Sequence, residues 1–183
     1  MNYLNRFKQI SVEAAEALQG LVSDMINKNT TNILEVGTYA GQATLRLAGA
    51  ANEKSNSVRV ISIDENHDSF SPTAEESLKA SNLSNTSVEF GELDRRFEEN
   101  IVKANIIYID RFHNKIDEKM ALIKKNVIVP TKVIFRNPKN SGDFPFEVTE
   151  IAPEVKPRAR KKAPVTETTT DKAPTKETKK ETT

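Results

Sequence analysis

Short apolar runs alternating with amphipathic stretches constrain this chain more than any other feature of its 183 residues. The first run, Asn32 to Val36 (NILEV), is bounded by polar residues before it and by Gly37 after it. Val58 to Ile63 (VRVISI), Ser87 to Phe90 and Asn105 to Ile109 (NIIYI) follow, and Val127 to Phe135 forms a fifth run interrupted by Pro130. Between them the apolar residues fall at helical spacing: Ala15, Leu18, Leu21, Val22, Met25 and Ile26, then Gln42 to Ala51, then Leu93, Phe97 and Ile101, then Ile116, Met120 and Ile123. Ser11 is placed to cap the first helix, and Ser71-Pro72 opens the helix after the second run, with a cap residue and then proline at the first helical position. Such continuously apolar runs read as strands buried on both faces. Their alternation with helices predicts a mostly parallel sheet covered on both sides, with a ligand beyond the carboxyl ends of the strands.

The residues that follow each run therefore carry the functional signal. Glu35-Val36-Gly37-Thr38-Tyr39-Ala40-Gly41 forms the turn out of the first strand, and its glycines let backbone pass close to a ligand. A fingerprint for a nucleotide diphosphate needs glycines at 37, 39 and 42, but Tyr39 and Gln42 stand at the last two, so a phosphate-free ligand fits better. Asp64 ends the second run, where a carboxylate can accept both hydroxyls of a ribose; on its own it reads equally as an ordinary strand-end acid. Gly91-Glu92 follows the third run and places a carboxylate where an adenine amino group would lie.

With ILEVGTYAGQATLRLA, VISIDENHD, NTSVEFGEL and NIIYIDRFH in place, the chain resembles the class I S-adenosylmethionine-dependent methyltransferases, and within them the small O-methyltransferases, over roughly Ser11 to Asn137. The resemblance implies a Rossmann-like three-layer α/β sandwich with a mostly parallel sheet, and S-adenosylmethionine as cofactor. Glu35 and Gly37 would contact its methionine portion, Gly41 would allow close approach, Asp64 would hold the ribose and Glu92 would lie near the adenine. Tyr39, in the same turn, joins this cofactor-binding set. Position 43 departs from the pattern: many relatives carry a Ser there that meets the methionine carboxylate, and Ala43 has no hydroxyl, which leaves Thr44 as the open substitute.

The likeness thins at the catalytic end. Metal-dependent members take one carboxylate from the position of Asp110 and an Asp-Asn pair from the end of strand five, read here as Thr131-Lys132. One hard oxygen ligand is too few for a divalent cation, so no metal site is expected. His113 falls near the lysine base of that subgroup and is the candidate general base, while Lys132 is the candidate replacement for the metal's charge. Asp110, His113 and Lys132 make up the predicted catalytic set. A surface histidine and a solvated lysine are the plainer alternatives, and His67 in its polar loop reads as plain.

Charge divides the chain at about residue 153. Residues 154 to 183 hold nine Lys or Arg against five Asp or Glu, with eight Thr, three Pro and no Leu, Ile, Phe or Tyr, leaving 18 basic against 21 acidic residues in 1 to 153. The segment 154–183 is expected to be a disordered basic tail after a single folded domain of residues 1–153. A cluster such as Arg158, Arg160, Lys161 and Lys162 is a weak candidate for nucleic-acid contact. Without cysteine, disulfides and thiol chemistry are excluded, and neither an apolar leader nor a membrane span is evident, so a cytoplasmic location is the default.

Only Phe146 to Ile151 (FEVTEI) follows the fifth run, so the sheet is expected to be truncated relative to the family. A second copy of the chain or another protein would then complete the pocket around a small-molecule acceptor. Methyl transfer to oxygen or nitrogen is the leading function. A catalytically silent cofactor-binding or interaction module on the same fold is the alternative.

Overall fold

The computed structural model describes residues 10–38, 41–65, 76, 78–80, 83–110, 115–136 and 146–153. The elements are α1 (Val12–Met25), β1 (Asn32–Val36), α2 (Gln42–Lys54), β2 (Arg59–Asp64), β3 (Thr86–Phe90), α3 (Leu93–Ile101), β4 (Ile106–Ile109), α4 (Ile116–Asn126), β5 (Thr131–Arg136) and β6 (Phe146–Ile151). The opening at Ser71-Pro72 of the helix read after the second run, and the tail 154–183, lie outside the described residues; residues 76 and 78–80, which follow that opening, are helical.

Among the described residues six strands form one sheet in the order β3-β2-β1-β4-β5-β6. The first five are parallel, and β6 returns antiparallel along β5, with Arg136 opposite Phe146 and Thr131 opposite Ile151. Alternation along each strand sorts side chains into two cores. Ile33, Val60, Ile106, Tyr108 and Ile134 face α1 and α2, where Leu18, Val22 and Leu47 meet them. Leu34, Val36, Ile63, Ile107, Ile109 and Val133 face the other way, onto Phe97 and Ile101 of α3 and Ile123 of α4. The central strands β1 and β4 are largely apolar because both faces are covered, whereas the edge strands β3 and β6 carry polar residues on exposed or half-buried positions. This is the three-layer α/β sandwich the sequence implies. No described helix is long and apolar enough to cross a membrane.

Local chemistry sets the element ends. The Ser11 side chain accepts from Ala14 N at 3.2 Å, capping α1 as expected. At the amino-terminal edge of the sheet, Asn105 Oδ1 accepts from Thr31 N (2.9 Å), Thr31 Oγ1 (3.2 Å) and Asn32 N (3.2 Å), which fixes where β1 starts relative to β4. Asn105→Ala should cost about 1–2 kcal/mol, since Asn32 N lies at a partly buried edge and loses its side-chain acceptor; a urea midpoint equal to that of the parent would show that water replaces it. Lys119, buried despite its charge, contacts Asp94 and lies 5.4 Å over the Phe97 ring, joining α4 to α3.

Strand five differs from the sequence reading. Its ladder begins at Thr131, because Pro130 has no N–H to give. Val127 instead closes α4 by donating to Ile123 O, and Ile128 donates to Val102 O while its side chain is 59% exposed. The apolar residues 127–129 are a connector.

Candidate functional site

The chain changes direction between β1 and β4, and in open parallel sheets the crevice at such a reversal, beyond the carboxyl ends, is where ligands bind. The ladder runs one residue past the strands there. Gly91 N donates to Asp64 O (3.0 Å), Gly37 N to Ile63 O (2.9 Å) and Asp110 N to Val36 O (3.0 Å). Since Asp64 pairs with Phe90, Val36 with Ile63 and Ile109, and Ile109 with Phe135, one row along this edge reads Phe90, Asp64, Gly37, Asp110, Arg136, with Gly91 one residue beyond it. Adjacent strands are about 4.8 Å apart, so the backbones at Asp64 and Asp110 stand about 10 Å from one another with Gly37 between them.

The turn after β1 is built for close approach. Gly37 has φ 99° and Gly41 has φ 79°, values that side chains with a Cβ seldom adopt. Gly41 N closes the turn onto Thr38 O at 2.8 Å, and Gly41 then serves as N-cap of α2 with no side-chain cap. The Thr38 and Ser62 hydroxyls, 2.6 Å apart, tie this turn to β2. Tyr39 and Ala40 lie outside the described residues.

Glu35 sits beneath the turn, fully buried on the α2 side of β1. The hydroxyl of Thr44 donates to its Oε2 at 2.5 Å. Ser62 lies beside it, but the short contact of that hydroxyl is with Thr38, and Glu35 Oε1 has no hydrogen-bond partner among the described residues. Burial pushes the carboxyl up from its ordinary 4.5 to about 8, against the opposing pull of the Ser62 and Thr44 hydroxyls and with help from the charges of Asp110 and Asp64. At neutral pH it is a buried acid holding its proton, with one oxygen awaiting a partner. Thr44 is committed to Glu35, so it does not replace the hydroxyl that Ala43 lacks.

Asp64 is fully buried and takes Glu65 N on its Oδ1 at 2.7 Å. Glu92 stands exposed as the N-cap residue of α3, after Gly91 with φ 146°. Both are where the sequence puts them. Asp110, 2% exposed, also lies on this edge. His113 and His67 lie outside the described residues.

Lys132 is a correction. Because β5 starts at Thr131, Lys132 pairs with Ile106 at the opposite, amino-terminal edge of the sheet, about 13 Å of strand away from Arg136. Its Nζ pairs with Glu150 at 3.3 Å, beside a cavity of about 540 Å³ bordered by Asn27, Thr30 and Asn105. It takes no part in the catalytic set. The residue at the carboxyl end of β5 is Arg136, whose Nε lies 2.7 Å from Asp110 Oδ1. The N–H is not aimed along that contact, so charge rather than a well-aligned hydrogen bond holds the pair.

Solved structures share this fold. The O-methyltransferase TomG of Streptomyces achromogenes, in complex with S-adenosylmethionine, is 18% identical with a TM-score of 0.57, over 74% of this chain and 64% of that one. An O-methyltransferase of Bacillus cereus in complex with S-adenosylhomocysteine gives 21% and 0.58, over 75% and 64%. A methyltransferase of Geobacter sulfurreducens gives 18% and 0.56, over 67% and 59%. The fold is that of the class I S-adenosylmethionine-dependent methyltransferases. This chain spans less than two thirds of the length of each of these three proteins. No protein-family model and no curated protein sequence matches it.

Proposed function

We propose that the chain is an S-adenosylmethionine-dependent methyltransferase acting on an oxygen or nitrogen of a small-molecule acceptor, without a divalent metal. One observation carries this reading: a buried, protonated Glu35 with an unpartnered oxygen lies under a positive-φ glycine turn, one strand away from the buried carboxylate of Asp64. Those residues fit the cofactor. Glu35 offers an oxygen to an ammonium group, Gly37 and Gly41 leave the backbone open, Asp64 accepts ribose hydroxyls and Glu92 lies on the adenine side. Bound S-adenosylmethionine supplies an already activated methyl on sulfonium. The protein has then to align an acceptor lone pair and exclude water. Asp110 borders the acceptor side, and His113 is the proposed base for an acceptor that carries a proton.

The divalent cation does not fit. The Asp110 carboxylate is already paired with a guanidinium, and no group of three acidic or histidine ligands occurs among the described residues.

A second reading is a silent cofactor-binding or interaction module. It is favoured by the sheet, in which β6 pairs with β5 and no further strand occurs among the described residues. Under either reading a second copy or another protein would complete the acceptor wall, and a cytoplasmic setting belongs to the same proposal. The tail's contact with nucleic acid is a lesser possibility.

Binding of S-adenosylmethionine and S-adenosylhomocysteine to the full chain, followed by methyl release on adding hydroxyl and amine acceptors, tests the proposal. Binding without turnover on any acceptor would favour the silent module, and no binding would remove methyl transfer and leave an interaction module. Lys132→Ala should leave cofactor affinity within about twofold and stability within about 1 kcal/mol, because its ion pair is an exposed one at the far edge. A tenfold loss of affinity by the same titration would contradict that placement.

A further inference from the structure

Three acidic side chains, Glu35, Asp64 and Asp110, converge at the carboxyl ends of the adjacent strands β1, β2 and β4, all of them buried. They do not make up a group of three that could hold a metal ion together. The row of residues on that edge contains one positive charge, Arg136, and it lies against the acid nearest the acceptor side. Both partners are withdrawn from water, with side chains 14% and 3% exposed. A charge pair so buried is costly to break from either side. A divalent ion placed at Asp110 would have to displace the guanidinium or sit against it.

We propose that Arg136 is a built-in counter-cation: it positions Asp110 on the acceptor side of the site and closes that position to divalent metals. Arg136 is a positioning residue in this role, since it acts through Asp110. The inference gives the methyl-transfer reading its cation-independent acceptor side, but its test needs no cofactor, so the two fail separately.

The probe is Mn²⁺ followed by electron paramagnetic resonance on the full-length protein, titrated against the parent and three variants. The parent and Arg136→Lys, which retains a positive charge, should leave Mn²⁺ free. Arg136→Asp sets a second carboxylate opposite Asp110, and two facing carboxylates can hold a small divalent ion that keeps several of its waters, so Mn²⁺ affinity should rise by roughly tenfold or more. The added Asp110→Asn change should abolish that gain, assigning the new site to this pair. Circular dichroism checks that each variant is folded, and if Arg136→Asp does not fold, Arg136→Gln serves, with a smaller gain of the same sign. Stoichiometric Mn²⁺ binding by the parent that is lost in Asp110→Asn would overturn the proposal. So would a folded Arg136→Asp or Arg136→Gln that binds Mn²⁺ no better than the parent.

Discussion

Replacing Glu35 by Gln should stabilise the protein by a margin that widens as the pH rises. In the folded chain burial holds this carboxyl's proton to about pH 8, whereas the unfolded chain releases it near 4.5. The stabilising contribution of the protonated form is complete below 4.5 and is lost as pH climbs through the folded value. Between those limits the unfolded state binds fewer protons, so stability falls by up to about 1.4 kcal/mol per pH unit. Gln has the shape of the protonated acid, can still accept from Thr44 and does not titrate. The variant should therefore gain on the order of 3 kcal/mol over the parent by pH 8, with most of the difference absent at pH 5. Urea unfolding at pH 5, 6.5 and 8 reads it directly. A constant margin across the three would mean that Glu35 is already ionised inside the fold. A buried acid that costs stability at physiological pH makes sense if an ammonium group is to meet its unpartnered oxygen.

Asp64→Asn should weaken S-adenosylmethionine binding by roughly 100-fold, the loss of a charged acceptor for two ribose hydroxyls at about 1.5–3 kcal/mol for each such bond. Asn preserves the side chain's shape and can still accept from Glu65 N, so the fold should be kept. Thermal unfolding of the free variant within a few degrees of the parent would verify that the effect lies in binding. Unchanged affinity in a folded variant would remove Asp64 from the site, and the adenosyl assignment of this edge with it.

The sheet was legible because its central strands, β1 and β4, are buried on both faces, and burial leaves nearly continuous apolar runs. β1 and β6 match the sequence reading to the residue, and β2, β3 and β4 match it to within one residue at either end. The glycine turn was legible for a related reason, since only glycine suits the backbone at 37 and 41. Strand five was not, because the connector 127–129 is as apolar as a strand although Ile128 faces solvent. Reading it as strand moved the strand's start by four residues, and taking Thr131-Lys132 as its carboxyl end put Lys132 in the site and hid Arg136. The proline held the missing signal: a ladder that cannot include Pro130 must start after it, and a strand of ordinary length from there ends near Arg136. Thr44 could not be found by spacing, because its tie to Glu35 depends on how α2 is turned over β1. The Asp110–Arg136 pair is likewise a matter of register between strands.

The measurement that bears most directly on the cofactor assignment is calorimetric titration of the full chain with S-adenosylmethionine at pH 7 in two buffers of different ionisation enthalpy. One cofactor per chain, with a heat that differs between buffers because Glu35 releases its proton to the buffer as the cofactor's ammonium group arrives, is the expected result. No saturable binding in either buffer would contradict the assignment of this strand edge as an S-adenosylmethionine site.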